Sequence, residues 1–273
     1  MTAKHLRSTL EHWTRVLGPD VLLTRRVSSV DAEVADARVA QAEVAEARVA
    51  AAEGTDGRTS KTIASAVTPT AAPATRAARL AALASAAAAC RACRLGEART
   101  QAVFADGDPQ AEIFFCGEGP GADEDRLGLP FVGKAGELLT RIIEGAMGVP
   151  REAVYIANIV KCRPPGNRNP EPDEQAACMH FLHAQLEIVS PRIVIALGKV
   201  AAHALIGADA STPMSKMRGR VHHVNGRAIL PTWHPAYLLR TPAAKAQTWD
   251  DIKVALRFLG RPERPEPYRR PGA

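Results

Sequence analysis

Cysteine and aromatic residues are scarce in this chain. Five cysteines among 273 residues are too few for a disulfide framework, so a closely spaced pair reads as metal or redox chemistry. Phe, Trp and Tyr together make up only 4%. No apolar run approaches the roughly eighteen residues that span a bilayer, and the opening residues lack a lysine-plus-apolar export segment. The sequence therefore reads as a soluble, cytoplasmic, monomeric protein with no membrane partner. Nor is there a large charge excess: 35 Lys and Arg stand against 29 Asp and Glu. Split at residue 76, the balance is +1 before (10 minus 9) and +5 after (25 minus 20). So modest a basic surplus admits a polyanionic partner such as nucleic acid without requiring one. What is present is bulk: 46% hydrophobic residues in 29.1 kDa suffice for one ample core or two small ones.

The N-terminal stretch offers little to bury. Leu6, Leu10, Trp13 and Leu17 fit one short amphipathic helix within residues 5–30, with Gly18-Pro19 ending its first part. Residues 32–41 (AEVADARVAQ) and 42–51 (AEVAEARVAA) are near copies of an Ala-, Glu- and Arg-rich unit that favours helix but has only Val for a core. Residues 54–76 continue in Gly, Thr, Ser, Pro and Ala. Residues 1–76 thus read as a low-complexity extension and flexible linker without chemistry of its own. Residues 263–273 form a Pro- and Arg-rich tail.

Residues 77–262 have the texture of a folded domain. Twelve of the nineteen residues 71–89 are alanine, which predicts a helix leading into Cys90. Strands are predicted at Ile113–Cys116, Val154–Val160, Ile193–Leu197 and Ala228–Thr232, with helices near 134–147, 172–189, 199–206 and 243–259. This alternation implies an α/β fold, a mostly parallel sheet with helices on both faces. Ligands of such sheets gather at the carboxyl ends of the strands.

Four segments at those ends carry candidate chemistry. Gly117-Glu118-Gly119-Pro120-Gly121 lets the backbone turn sharply and approach a ligand, or is an ordinary strand-to-helix turn. It is no phosphate loop, because neither glycine fingerprint is present and Asp123, Glu124 and Asp125 follow it. Phe131, between Pro130 and Gly133, either offers a flat face to a planar ligand or anchors its loop in the core. Asn158 can donate and accept at once, matching a carbonyl beside an N–H, or it is structural. Arg163 and Arg168, in the Pro-rich loop that follows, meet phosphates or are solvated. His234-Pro235-Ala236-Tyr237-Leu238-Leu239-Arg240 reads as a loop whose apolar residues must pack or insert into something. Asn225-Gly226 reads as a hairpin turn and His222-His223 as strand surface.

Cys90 and Cys93 form a C-x2-C pair, Cys162 and Cys178 stand sixteen apart, and Cys116 lies inside a strand. Two-residue spacing is a chelating bite for zinc or for an iron–sulfur cluster, and spacing alone leaves the metal open.

The combination of GEGPGADEDRLGLPFVGKAGELL (117–139), NIVKCRPPGNRNP (158–170), ALGKVAAHALIG (196–207), HPAYLLR (234–240) and the four spaced cysteines in order resembles the family 4 uracil-DNA glycosylases, over roughly residues 77–262. The resemblance implies a three-layer α/β/α fold on a four-stranded parallel sheet, a [4Fe–4S] cluster on Cys90, Cys93, Cys162 and Cys178, and removal of uracil from DNA. Cys116 falls outside that set and reads as strand packing. On this reading Phe131 stacks on a flipped uracil, Asn158 reads its O4 and N3–H, and His234 donates to O2. Amides of the Gly117, Gly119 and Gly121 turn assist. Glu118 is the first choice to position water, with Glu124 second. Tyr237, Leu238 or Leu239 fills the gap left by the base, while Lys199, Arg163, Arg168 and Arg240 meet phosphates.

A second class of function, a binder or covalent trap without turnover, finds less support. The trapping relatives carry a basic, His-containing insertion after the second strand, whereas Arg163 to Pro170 contains no His. An electron-transfer protein would not account for Phe131, Asn158 and His234 on one face.

Overall fold

The structure, a computed structural model, describes residues 75–269. The amphipathic helix, the decapeptide repeat and most of the linker expected before residue 75 lie outside the described residues. Alanine propensity carries helix α1 (Arg76–Ala89), capped where the Thr75 hydroxyl accepts the Ala78 amide at 3.2 Å. A single turn, α2 (Leu95–Ala98), follows the C-x2-C pair.

Six strands form one sheet in the order β1-β3-β2-β4-β6-β5. The four predicted strands are its parallel centre: β2 (Ile113–Gly117), β3 (Tyr155–Asn158), β4 (Ile193–Leu197) and β6 (Arg227–Thr232). The four-stranded expectation is corrected by two short antiparallel edges, β1 (Asp106–Gly107) on β3 and β5 (His222–Val224) on β6. Both are too short and polar to register as strands by periodicity. The β5–β6 hairpin turns at Asn225 and Gly226, whose φ values of 50° and 73° are the left-handed pair that such a turn needs.

The central strands are buried on both faces, which is why they read as continuous apolar runs. Alternate side chains feed opposite layers. Ile113, Phe115, Ile156, Ile195 and Leu230 pack with α4 (Lys134–Arg141), its wider final turn (Ile142–Ala146), and α9 (Lys245–Phe258). Phe114, Cys116, Tyr155, Ala157 and Val194 pack with α1, α5 (Pro172–Val189), α6 (Lys199–Ile206) and α7 (Met214–Met217). The result is the expected α/β/α sandwich. Cys116 is fully buried, its thiol pushed up to about 12 by burial, as a packing residue would be. The tail is held against the body: the Tyr268 amide donates to Glu144 O at 2.8 Å. Among the described residues no helix is long and apolar enough to cross a membrane.

Candidate active site

At the carboxyl edge of the sheet Gly117 pairs with Asn158 and Leu197 with Thr232, so the loops after all four central strands start side by side. Segments following β2, β3 and β6 enclose a cleft of about 430 Å³, within the range of small-molecule sites. Phe131, Asn158 and His234 all line it, together with Glu118, Gly119, Gly121 and Glu124.

Phe131 sits on the loop between α3 (Ala122–Leu127) and α4. Its φ of 54° is unusual for a residue with a side chain. Glu124 holds the loop in place: one carboxylate oxygen accepts the Val132 and Gly133 amides at 3.0 and 3.1 Å, the other the Gly121 amide at 3.1 Å. Against the Phe131 main chain Gly136 is indispensable, since a Cβ there would lie 1.9 Å from Phe131 O. The Phe131 ring stands 5.6 Å from the His234 imidazole, tilted by 33°. Glu124, the second choice for positioning water, is thereby committed to three backbone amides. Glu118 has no such commitment; burial alone raises its carboxyl above the usual range.

Asn158 is 2% exposed, and its Oδ1 is buried without a hydrogen-bond partner. An orphaned buried acceptor is costly unless a ligand supplies the donor. Gly117 opposite it has no room for a side chain: a Cβ would lie 2.4 Å from Asn158 Oδ1 and 2.6 Å from Phe131 Cζ.

The stretch 234–240 is a helix, α8 (Pro235–Arg240), rather than the expected loop. Pro235 suits its first position, and His234 caps it, Nδ1 accepting the Ala236 amide at 3.1 Å. That bond assigns the imidazole proton to Nε2. Burial, reinforced by the Arg240 charge and opposed by Glu124, pulls the imidazole down to about 4, so it is neutral at pH 7.

The helix also sorts the apolar residues. Leu238 points into the core at 0% exposure, which removes it as an inserting side chain, whereas Leu239 is 42% exposed. Tyr237 lines the cleft and stacks on Trp233 with ring centroids 4.7 Å apart. Arg240 and Arg168 line the cleft. Arg168 is not simply solvated, because it donates to both Glu174 oxygens at 2.8 and 2.7 Å. Arg163 donates to Asn167 Oδ1 at 2.8 Å, and Lys199 is exposed at the start of α6; neither lines the cleft.

Cys90, Cys93, Cys162 and Cys178 line a second, smaller cavity between α1, the loop after β3 and α5. Cys162 Sγ accepts from Arg99 at 2.9 Å and Cys178 Sγ from the Lys161 amide at 3.3 Å. Burial raises both thiols. Among the described residues no group of three or more His, Cys, Asp or Glu side chains converges to hold one metal ion. Four sulfurs around one void with N–H donors on two of them fit a polynuclear iron–sulfur group. Sequence reasoning missed Lys161, Gln185 and Glu174. A lysine directly after a buried apolar run was the available signal for the first.

The model of the uracil DNA glycosylase superfamily matches residues 104–253, from the start of the sheet to within α9. The chain is 44% identical over 164 residues to a type-4 uracil-DNA glycosylase of Thermotoga maritima, covering 59% of this chain and 84% of that protein. It is 39% identical over 176 residues to a type-4 enzyme of Sulfurisphaera tokodaii, covering 62% and 80%. A type-5 uracil-DNA glycosylase of Thermus thermophilus is more distant, at 31% over 145 residues, 47% and 66% of the two chains. The match spans every strand of the parallel centre and the three residues that meet in the cleft, and on it the chain belongs to the uracil-DNA glycosylase superfamily, in its type-4 branch.

Proposed function

We propose that this protein flips uracil out of DNA and hydrolyses its N-glycosidic bond, leaving an abasic site for base excision repair. The observation that carries this reading is the partnerless Oδ1 of Asn158, buried in a cleft beside Phe131 and His234. Uracil N3–H is the donor that oxygen lacks, and the Asn158 amide N–H answers uracil O4. Cytosine inverts both groups.

A base inside a duplex is out of reach, so the nucleotide is extruded, at roughly a few kcal/mol that is least at a mismatch. Phe131 stacks on the extruded ring, worth about 1–3 kcal/mol. His234 donates Nε2–H to O2 as negative charge develops there and the sugar becomes cation-like, with amides of residues 117–121 assisting. Glu118 positions the water that attacks C1′. Leu239, with Tyr237 beside it, fills the gap in the stack, and Arg240, Arg168, Arg163 and Lys199 meet phosphates. Cys90, Cys93, Cys162 and Cys178 hold a [4Fe–4S] cluster, which supplies a cross-link between α1, the loop after β3 and α5.

Incubation with a uracil-containing oligonucleotide followed by alkaline cleavage tests the reading. Strand scission is expected; a stable adduct would mean a trap, and neither product a binder or carrier. Two variants refine it. Glu118→Gln should lower the single-turnover rate about 10²-fold with oligonucleotide binding unchanged, and an unchanged rate removes its role. Gly117→Ala forces a methyl between Asn158 and Phe131, so cleavage should fall at least about tenfold. Full activity would show that ring and amide need not hold these positions.

A further inference from the structure

Among the described residues Lys161 is the only fully buried lysine or arginine, at 1% exposure. Its Nζ donates to Asn158 O at 2.7 Å and to Gln185 Oε1 at 2.6 Å, both neutral oxygens, and lies 5.8 Å from the Phe104 ring centroid. Gln185 is fixed in turn by donating to Phe104 O at 3.2 Å and to Tyr155 Oη at 3.4 Å. A buried ammonium without a carboxylate is expensive. The ionisable groups nearest it are cysteines: the Lys161 amide donates to Cys178 Sγ at 3.3 Å, Cys162 is the next residue, and Lys161 itself lines the cysteine cavity. Four thiolates and a cluster are net negative, which would account for a cation in this core.

One residue therefore links the two cavities, lining the cysteine cavity and reaching the cleft through Asn158. Its main chain meets a cysteine sulfur, and its side chain grips the carbonyl of the residue whose amide faces the cleft. We propose that Lys161 is a positioning residue, clamping the main chain that aims Asn158 at uracil from the wall of the cysteine cavity. This rests on Asn158 reading uracil.

The test is inhibition of oligonucleotide cleavage by free uracil in the holoenzyme, in a double-mutant cycle of Lys161→Met and Asn158→Ala. Lys161→Met should weaken inhibition about tenfold in the wild-type background and less than about twofold when Asn158 is already alanine. Iron and acid-labile sulfide content should stay at the wild-type level. An equal loss in both backgrounds, no loss, or loss of iron in step with inhibition would overturn the proposal. Should Lys161→Met fail to fold, Gln185→Met removes one of the two Nζ acceptors while keeping the lysine. It should weaken inhibition about threefold, again only with Asn158 present, and additivity with Asn158→Ala would overturn the proposal equally. If Asn158→Ala alone leaves inhibition unchanged, the uracil reading falls and this inference with it. If Asn158→Ala weakens inhibition and Lys161→Met does not, only the inference falls.

Discussion

His234→Asn should lower the single-turnover rate of uracil release by about 10²–10³-fold while changing oligonucleotide affinity by less than about threefold. The split follows from when the Nε2–H contact matters: O2 is a weak acceptor in the bound base and a strong one as the base departs with the bond electrons. Asparagine keeps an acceptor at the helix start, where Nδ1 takes the Ala236 amide, so the helix survives and only the reach of the second ring nitrogen is lost. An equal loss of affinity and rate would mean that His234 merely binds. The same variant tests protonation. An unfolded imidazole titrates near 6.5 and the folded one near 4, so the unfolded state takes up the extra proton between those values. Stability from this group is intact above about pH 6.5 and declines as the pH falls toward 4, by on the order of 3 kcal/mol. Thermal unfolding at pH 7 and pH 4.5 should therefore differ less in His234→Asn than in the wild type.

Asn158→Ala should cost about 10²–10³-fold in kcat/KM on uracil and narrow the preference for uracil over cytosine from about 10⁴ toward 10². A site built around a buried amide rejects the inverted pattern because both partners are left unsatisfied in a dry pocket. Alanine removes the rejection together with the recognition. Single-turnover rates on matched oligonucleotides carrying either base give the ratio directly, and a preference that survives intact would place discrimination elsewhere.

The parallel centre was legible because its strands are buried on both faces and therefore uniformly apolar, and the meeting of Phe131, Asn158 and His234 followed from each lying at or beyond a strand's carboxyl end. The remainder lay below what a linear pattern carries. β1 and β5 hold two and three residues, mostly polar, and exist because a neighbouring edge offers hydrogen bonds. The stretch after β6 read as a loop, yet Pro235 is at home in the first turn of a helix, and only the phase of α8 decides that Leu238 is buried and Leu239 exposed. The acids after the glycine turn gave no sign that Glu124 would be consumed by three amides. Buried ions run against hydropathy, so Lys161 showed only as a lysine closing an apolar run and Glu174 not at all: Glu174 is held at about 2, chiefly by the Arg168 guanidinium, and also takes Arg94 at 2.6 Å. The partners that hold such a charge range from six residues away, as Arg168 is from Glu174, to eighty, as Arg94 is.

The carboxylate brace under Phe131 has a consequence for the encounter with damaged DNA. Because three amides and a glycine contact already fix the aromatic platform in a sparsely populated backbone state, the ordering entropy of that loop is settled during biosynthesis instead of at each lesion. On the proposed reading, an extruded base then meets a finished shelf, and the burden of rearrangement falls on the nucleic acid.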